Sequence, residues 1–275
     1  YNSACTGGPL YYNTTPLTGS TTTLPPAYCT PTGSLSCTGN YSITNVTINT
    51  LNNTSGCAAS GYTSYPASGT QTTSLIKGSS YTFNLTVGTG GGTSGAGVWI
   101  DFNQNGSFAD AGEFFLINNS ISGPTTKSIS IPIPAGANTG LTGMRVRYAW
   151  ARTIDATMSC NVSDSGNGET EDYIISILGP PTITSFSPAN GCPGSSVTIN
   201  GTNFYNTTVT IGGTPVQSKT SESTTQIVAV VGNGTTGTIV TTTSGGTATS
   251  AGTYTLNSAP IPAQPVTPPP VCDGS

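Results

Sequence analysis

Nowhere along this chain do Ala, Leu, Glu and Lys gather into the runs that hold a helix, while Thr, Ser, Gly and Pro recur throughout. Thr favours the pleated strand, and Gly and Pro interrupt it with turns. The chain is therefore expected to be all-β. Short segments in which apolar and polar residues alternate carry the same message: Ile43, Val46 and Ile48, then Tyr81, Phe83, Leu85 and Val87. Further strands are expected at Val98 to Ile100, Glu113 to Ile117, Ile129 to Ile133, Met144 to Trp150 and Tyr173 to Leu178. About seven such strands with turn residues between them predict an antiparallel sandwich.

The pattern stops at Gly179-Pro180-Pro181, and a second series begins at Ile183 and runs through Val197, Ile199, Val209, Ile211, Ile227 to Val231, Ile239 and Tyr254. A chain of 275 residues is long enough for two β-sandwich domains in tandem. The boundaries are read as an extended segment over 1–27, a first sandwich over 28–178, an immunoglobulin-sized sandwich over 179–257, and a Pro-rich linker over 258–275. The linker should take the semi-rigid polyproline conformation of a spacer.

Only 6% of the residues are charged, so the surface must be covered by Thr, Ser, Asn and Gly. That composition is unlike a typical cytoplasmic protein and points to a secreted, extracellular or cell-surface location. Seven cysteines without a histidine or a C-x-x-C pair argue for disulfides in an oxidising compartment rather than a zinc site. Cys37 and Cys57 flank the same early strand and are expected to pair, leaving Cys29 and Cys160 to meet across the sandwich. Cys5 and Cys272 lie near opposite ends. Two readings stand side by side for them: the ends join neighbouring copies, an extended segment adding to an open sheet edge, or both tails pack on their own chain with Cys192 bridging to one. The chain begins at Tyr1 without an initiator Met or an apolar leader, as a processed product or a fragment would. No apolar run reaches the roughly 20 residues of a membrane helix, so membrane insertion is not expected. Six basic residues against ten acidic ones leave no footprint for nucleic acid. No nucleophile stands beside an activating base, so catalysis is not expected.

The segment from Asp101 to Glu113 carries the sharpest chemistry. Oxygen side chains at alternate positions, a Gly for the reversal and carboxylates further on are how a loop wraps the hard cation Ca²⁺. Asp101, Asn103 and Asn105 would supply side-chain oxygens, Ser107 its carbonyl, and Asp110 or Glu113 the closing carboxylate. The competing reading is an Asx-rich turn that caps its own backbone. Charge placement favours the cation, because eight acidic residues (Asp101, Asp110, Glu113, Asp155, Asp164, Glu169, Glu171 and Asp172) fall in this one region. In a strand, Glu169 and Glu171 share one face and Asp172 the other, as Arg145 and Arg147 share one face. Arg–carboxylate pairing is the expected use of these groups. Trp99 and Trp150 sit inside strand patterns and are expected in the core.

Tyr28-Cys29-Thr30, Leu51 to Gly56, Gly61-Tyr62, Trp99 to Gly106, Met144 to Arg147 and Gly168-Glu169-Thr170-Glu171-Asp172-Tyr173 together resemble the GEVED domain, over roughly Tyr28 to Leu178. Thr170 stands where that family usually has Val, and Asn105 where Asp is common. The second unit, with Ile183-Thr184-Ser185-Phe186-Ser187-Pro188, Gly201-Thr202-Asn203-Phe204 and Ile211 to Val216, resembles an IPT/TIG immunoglobulin-like domain. The two resemblances together imply a large secreted or surface protein of a Bacteroidetes-like bacterium.

The expected function is structural and adhesive: a part of a cell-surface adhesin or a subunit of an extracellular fibre, stabilised by calcium and disulfides. Its partners would be further copies or neighbouring surface-protein modules. An alternative is a calcium-dependent carbohydrate-binding module in which the ion site or Tyr11, Tyr12, Tyr62 and Tyr65 contact a glycan ligand, or an accessory region of a secreted hydrolase.

Overall fold

The computed structural model describes residues 27–31, 36–58, 60–90, 92–160 and 166–257. Cys5, Cys272, Tyr11, Tyr12 and Asp164, with the Pro-rich linker, lie outside them. The described residues divide between Pro180 and Pro181 into two units.

The first unit contains ten strands: β1 (Ile43–Ile48), β2 (Leu51–Thr54), β3 (Tyr62–Ser64), β4 (Ser74–Ile76), β5 (Ser80–Val87), β6 (Ser94–Ile100), β7 (Phe114–Ile121), β8 (Thr125–Pro132), β9 (Gly140–Trp150) and β10 (Gly168–Leu178). One sheet has four strands in the order β2-β1-β5-β8; the other has six, in the order β3-β10-β9-β6-β7 with β4 also on β10. Alternation along β1, β5, β9 and β10 turns Val46, Phe83, Leu85, Met144, Val146, Tyr173 and Ile175 into one shared core between the sheets. Each such side chain contributes about 1.5–3 kcal/mol on burial.

The sandwich is not purely antiparallel, because β3 and β4 both run parallel to β10. A parallel pair needs a long crossover, and the chain supplies one, since β10 is the last strand of this unit and the other two come before β5. These short strands, with β2, carry few alternating apolar residues and so were not expected. The strand proposed from Glu113 instead starts at Phe114 and extends to Ile121, and that at Met144 starts at Gly140.

Strand β6 is buried along its whole length, which an exposed sheet face would not allow. Its outer face is covered by a second, small core of Trp99, Phe108, Ala149 and Ile154, with Tyr28, Phe114 and Met158 packed against it. Glycine makes this cover possible: a Cβ at Gly97 would lie 2.6 Å from the Phe114 ring and 2.9 Å from Ile154. Asn119 fastens the cover, its side chain accepting the Ile154 N–H at 2.7 Å and donating to the Ile154 carbonyl at 3.2 Å. Trp99 is fully buried as expected; Trp150 is only half-buried, tilted against Tyr41 with ring centroids 5.4 Å apart.

Both expected disulfides of this unit are present: Cys37–Cys57 with Cα atoms 5.3 Å apart, and Cys29–Cys160 at 5.7 Å. The second ties the segment before β1 to the segment before β10. Cys192, in the other unit, is disulfide-bonded as well.

The second unit is an immunoglobulin-like sandwich of nine strands: β11 (Thr182–Ser187), β12 (Asn190–Gly191), β13 (Ser196–Thr202), β14 (Thr208–Ile211), β15 (Thr214–Pro215), β16 (Ser218–Glu222), β17 (Gln226–Val230), β18 (Gly237–Thr243) and β19 (Gly246–Leu256). They form sheets in the orders β11-β13-β17-β16 and β12-β19-β18-β14-β15 around Val197, Ile199, Phe204, Ile211, Ile227, Ile239 and Tyr254. Its two charged side chains, Lys219 and Glu222, pair with each other, and Glu222 also accepts the Thr207 N–H at 2.8 Å. Burial alone would push the Glu222 carboxyl up, but these hydrogen bonds outweigh it and hold the group below its ordinary range.

Candidate functional site

The loop between β6 and β7 is anchored at its base, where the Ile100 N–H donates to the Glu113 carbonyl at 2.9 Å and the Asp101 N–H to the Gly143 carbonyl at 3.2 Å. Its two end carboxylates, Asp101 and Glu113, are both buried. Asp101 Oδ1 accepts the Asn105 N–H at 3.3 Å, and Oδ2 accepts the Gly106 N–H at 2.9 Å and the Tyr28 hydroxyl at 3.0 Å. Gln104 and Gly106 take positive φ (57° and 84°), which lets the backbone curl its N–H groups inward.

Asn103, Asn105 and Ser107 follow around the loop, partly or fully exposed. Their side-chain oxygens accept the N–H groups of Asn105 (3.0 Å), Ser107 (2.8 Å) and Ala109 (3.0 Å) respectively. Asp110 is exposed and accepts from the Asn105 side-chain amide at 2.8 Å. These are the local bonds of an Asx-rich turn.

Glu113 does not fit that description completely. Its Oε1 accepts the Phe102 and Asn103 N–H groups at 2.8 and 3.3 Å, but its buried Oε2 has no hydrogen-bond partner. Burial pushes this carboxyl up to about 7; the Asn103 and Phe102 N–H groups work against the shift, and the negative charges of Asp101 and Asp110 add to it. An orphaned buried carboxylate oxygen beside two further carboxylates is an arrangement that a bound cation would relieve. Among the described residues no group of three or more His, Cys, Asp and Glu side chains is gathered tightly enough to hold a metal by itself. A hard cation at this loop would need Asn and Ser oxygens as well as carboxylates.

The carboxylates of β10 are used differently. Asp172 stands opposite Arg145 across the β9–β10 ladder, and the two form a fork, Nε to Oδ1 and Nη2 to Oδ2, both at 2.7 Å. The remaining Arg145 N–H groups donate to the Cys29 carbonyl (2.7 Å), the Ser159 carbonyl (2.8 Å) and the Cys29 sulfur (3.2 Å). All five donors of this buried guanidinium are thus occupied. Among the described residues Arg147 finds no carboxylate: it donates to the Met158 and Ser159 carbonyls, while Nε and Nη2 have no partner there. Burial, and next the nearby Arg145 charge, push it down to about 9.

On the opposite face of β10, Glu169 accepts the N–H groups of Ile43 (2.8 Å) and Ala58 (3.1 Å). Glu171 accepts the Tyr173 and Tyr65 hydroxyls at 2.6 and 3.2 Å. Both carboxyls are raised, first of all by burial, Glu169 to about 7. These two side chains stitch the strand to its neighbours.

A cavity of about 230 Å³ opens on the Arg145–Asp172 face, lined by Tyr28, Tyr62, Ser64, Phe108, Asp172 and the backbone around Gly143, among others. Tyr28 stacks on Phe108 with centroids 4.5 Å apart and planes 16° from parallel. The same ring lies over Gly143, where a Cβ would come within 2.4 Å of it, and its hydroxyl accepts the Gly143 N–H at 2.8 Å. Tyr62 donates its hydroxyl to Asp172 Oδ2 at 2.9 Å. Tyr65 is not at the cavity; it stacks on Tyr173 at 5.1 Å. Tyr28 and Phe108 escaped sequence reasoning, although an aromatic residue inside so polar a loop as 101–113 was an available signal.

The GEVED domain family matches residues 95–176, and the IPT/TIG domain family matches residues 181–257. No curated protein matches the chain. Among solved structures, the chain is similar to SGBP-B from a complex xyloglucan utilization locus in Bacteroides uniformis, with 17% identity, 78% of this chain and 49% of that chain covered, and a TM-score of 0.31. It is similar to the SGBP-B of a Bacteroides ovatus mixed-linkage glucan utilization locus, solved with a mixed-linkage heptasaccharide, at 16% identity over 66% of this chain and 44% of that one, TM-score 0.23. An auxiliary nutrient binding protein from Bacteroides thetaiotaomicron matches at 22% identity over 28% of this chain and 21% of that one, TM-score 0.26. The chain spans less than half the length of each of these structures.

Proposed function

The chain carries a GEVED domain followed by an IPT/TIG domain, and from that premise we propose that it is a non-catalytic extracellular module of a cell-surface adhesin or fibre whose first domain is stiffened by Ca²⁺ and disulfides. In this reading its partners are further copies or neighbouring surface modules. Asp101, Asn103, Asn105, Ser107, Asp110 and Glu113 would hold the cation, which when bound supplies the positive charge that the loop lacks. The observation that carries the calcium reading is Glu113, buried at the end of the loop with one carboxylate oxygen unpartnered. Extracellular residence is supported by the disulfides at Cys29–Cys160 and Cys37–Cys57.

Calcium that binds the folded state alone adds RT ln(1 + [Ca²⁺]/Kd), or about 2.7 kcal/mol at a hundredfold excess over Kd. Thermal unfolding followed by tryptophan fluorescence reports on the first domain only, because Trp99 and Trp150 are the two tryptophans of the chain. The expected result is a melting temperature raised by calcium and restored by EDTA, with no calcium effect in Glu113→Gln. Identical melting in calcium and EDTA overturns the reading.

A second reading, calcium-dependent carbohydrate binding, is favoured by the aromatic-lined cavity that shares Phe108 with the loop.

A further inference from the structure

The cavity over Gly143 has a chemistry of its own. Its volume of about 230 Å³ falls below the roughly 300–1,000 Å³ of pockets for drug-sized ligands, which sizes it for a single ring. The stacked Tyr28–Phe108 pair forms one side and Tyr62 another, so the occupant needs apolar faces.

Charge narrows the class. Asp172 is the carboxylate at the cavity, and it is neutralised by the fork from Arg145. A cation therefore finds no uncompensated negative charge. The Arg145 guanidinium offers an anion no free donor either, since all five of its N–H groups are already engaged, and the Ser64 hydroxyl interacts with Tyr62. What remains is acceptor capacity: Asp172 Oδ1 receives one hydrogen bond, from Arg145 Nε at 2.7 Å, where a carboxylate oxygen can take two. The Tyr62 oxygen, which spends its proton on Asp172 Oδ2, also keeps lone pairs. An uncharged ring with apolar C–H faces and outward O–H donors meets all of these conditions.

We propose that this cavity is a binding site for one uncharged sugar ring, its C–H face on the aromatic wall and its hydroxyls donating to Asp172 and Tyr62. This deepens the carbohydrate reading above and ties it to the loop. Tyr28 donates to Asp101 Oδ2 at 3.0 Å, and Phe108 is itself a loop residue. Calcium at the loop would stabilise the wall on which the ring stacks. By linkage the ring would then tighten calcium binding by the same factor.

Saturation-transfer NMR and calorimetry on the full chain, in calcium, would use methyl glycosides of glucose, galactose, mannose and xylose, with methyl glucuronide and glucosamine as charged comparisons. At least one neutral glycoside is expected to bind with a millimolar Kd, and the charged ones to bind less well. Ser64 is exposed on the short edge strand β3, so Ser64→Trp fills the cavity from outside the core. It is expected to weaken binding by about tenfold or more, with an unchanged melting temperature showing that the fold is intact. Tyr62→Ala is the second variant and should weaken binding by removing the aromatic side that Tyr62 contributes to the cavity. No transfer to any neutral glycoside, or undiminished binding in Ser64→Trp, overturns the proposal. Equal affinity in calcium and EDTA overturns the coupling to the loop. A calcium-raised melting temperature without glycoside binding would sink the cavity while leaving the calcium reading standing.

Discussion

Asp172→Asn isolates the interaction on which the outer face of the six-stranded sheet depends. Arg145 is fully buried and Asp172 partly exposed, with side-chain exposures of 0% and 16%. In wild type, two 2.7 Å charge-assisted bonds join them. Asn keeps the shape and one acceptor, but it removes the compensating charge and turns an NH₂ donor toward a guanidinium that has only donors to offer. Removing one member of a buried pair costs about 3–5 kcal/mol, because the other charge is left uncompensated. The partial exposure of Asp172 points to the lower end, about 3 kcal/mol. For a domain of this size that is roughly 6–12 °C in Tm. The loss should also loosen the Cys29 and Ser159 segments that Arg145 holds through their carbonyls. Guanidinium unfolding followed by tryptophan fluorescence measures the change in the first domain alone. A loss below about 1 kcal/mol, the value of an exposed surface pair, would refute the claim that this fork is a buried structural device.

Two further outcomes follow from the same domain. The Cys29–Cys160 bridge spans 131 residues and Cys37–Cys57 spans 20, so loop-closure entropy assigns them about 5 and about 3 kcal/mol; unfolding of the two double Cys→Ser variants should rank them in that order, and the reverse order would contradict it. Burial raises the Glu169 carboxyl from 4.5 to about 7, so across that interval the folded state holds a proton that the unfolded chain has released. The stability this contributes is full below about 4.5 and is lost as pH rises through about 7; unfolding in EDTA at a series of pH values should show that decline, and a first domain that gains stability from pH 5 to 7 would rule it out.

Local chemistry was enough to read the all-β class, the strands of the core, the break near Pro180 and the two bridges of the first domain. Period-two alternation and turn residues are properties of neighbouring residues, and they act before any distant contact forms; the Cys29–Cys160 bridge, 131 residues apart, was reached by elimination once Cys37 and Cys57 were paired. Phe83-Asn84-Leu85-Thr86-Val87 can bury only one face whatever it packs against. The composition of the 101–113 loop was equally legible, because its turn bonds run between residues two to five apart.

Tertiary structure alone decided what those groups meet. Strands β3 and β4 join β10 across roughly a hundred residues of chain, a closure that no local pattern encodes. Arg145 and Arg147 have the same spacing, face and residue type, yet one receives a carboxylate and the other two carbonyls, because the ladder sets Asp172 opposite the first and Thr170 opposite the second. Tyr28 lies 115 residues before Gly143 and still donates to Asp101 and stacks on Phe108. The cavity exists only where those three segments converge, so residue identities alone could name its parts but not assemble them.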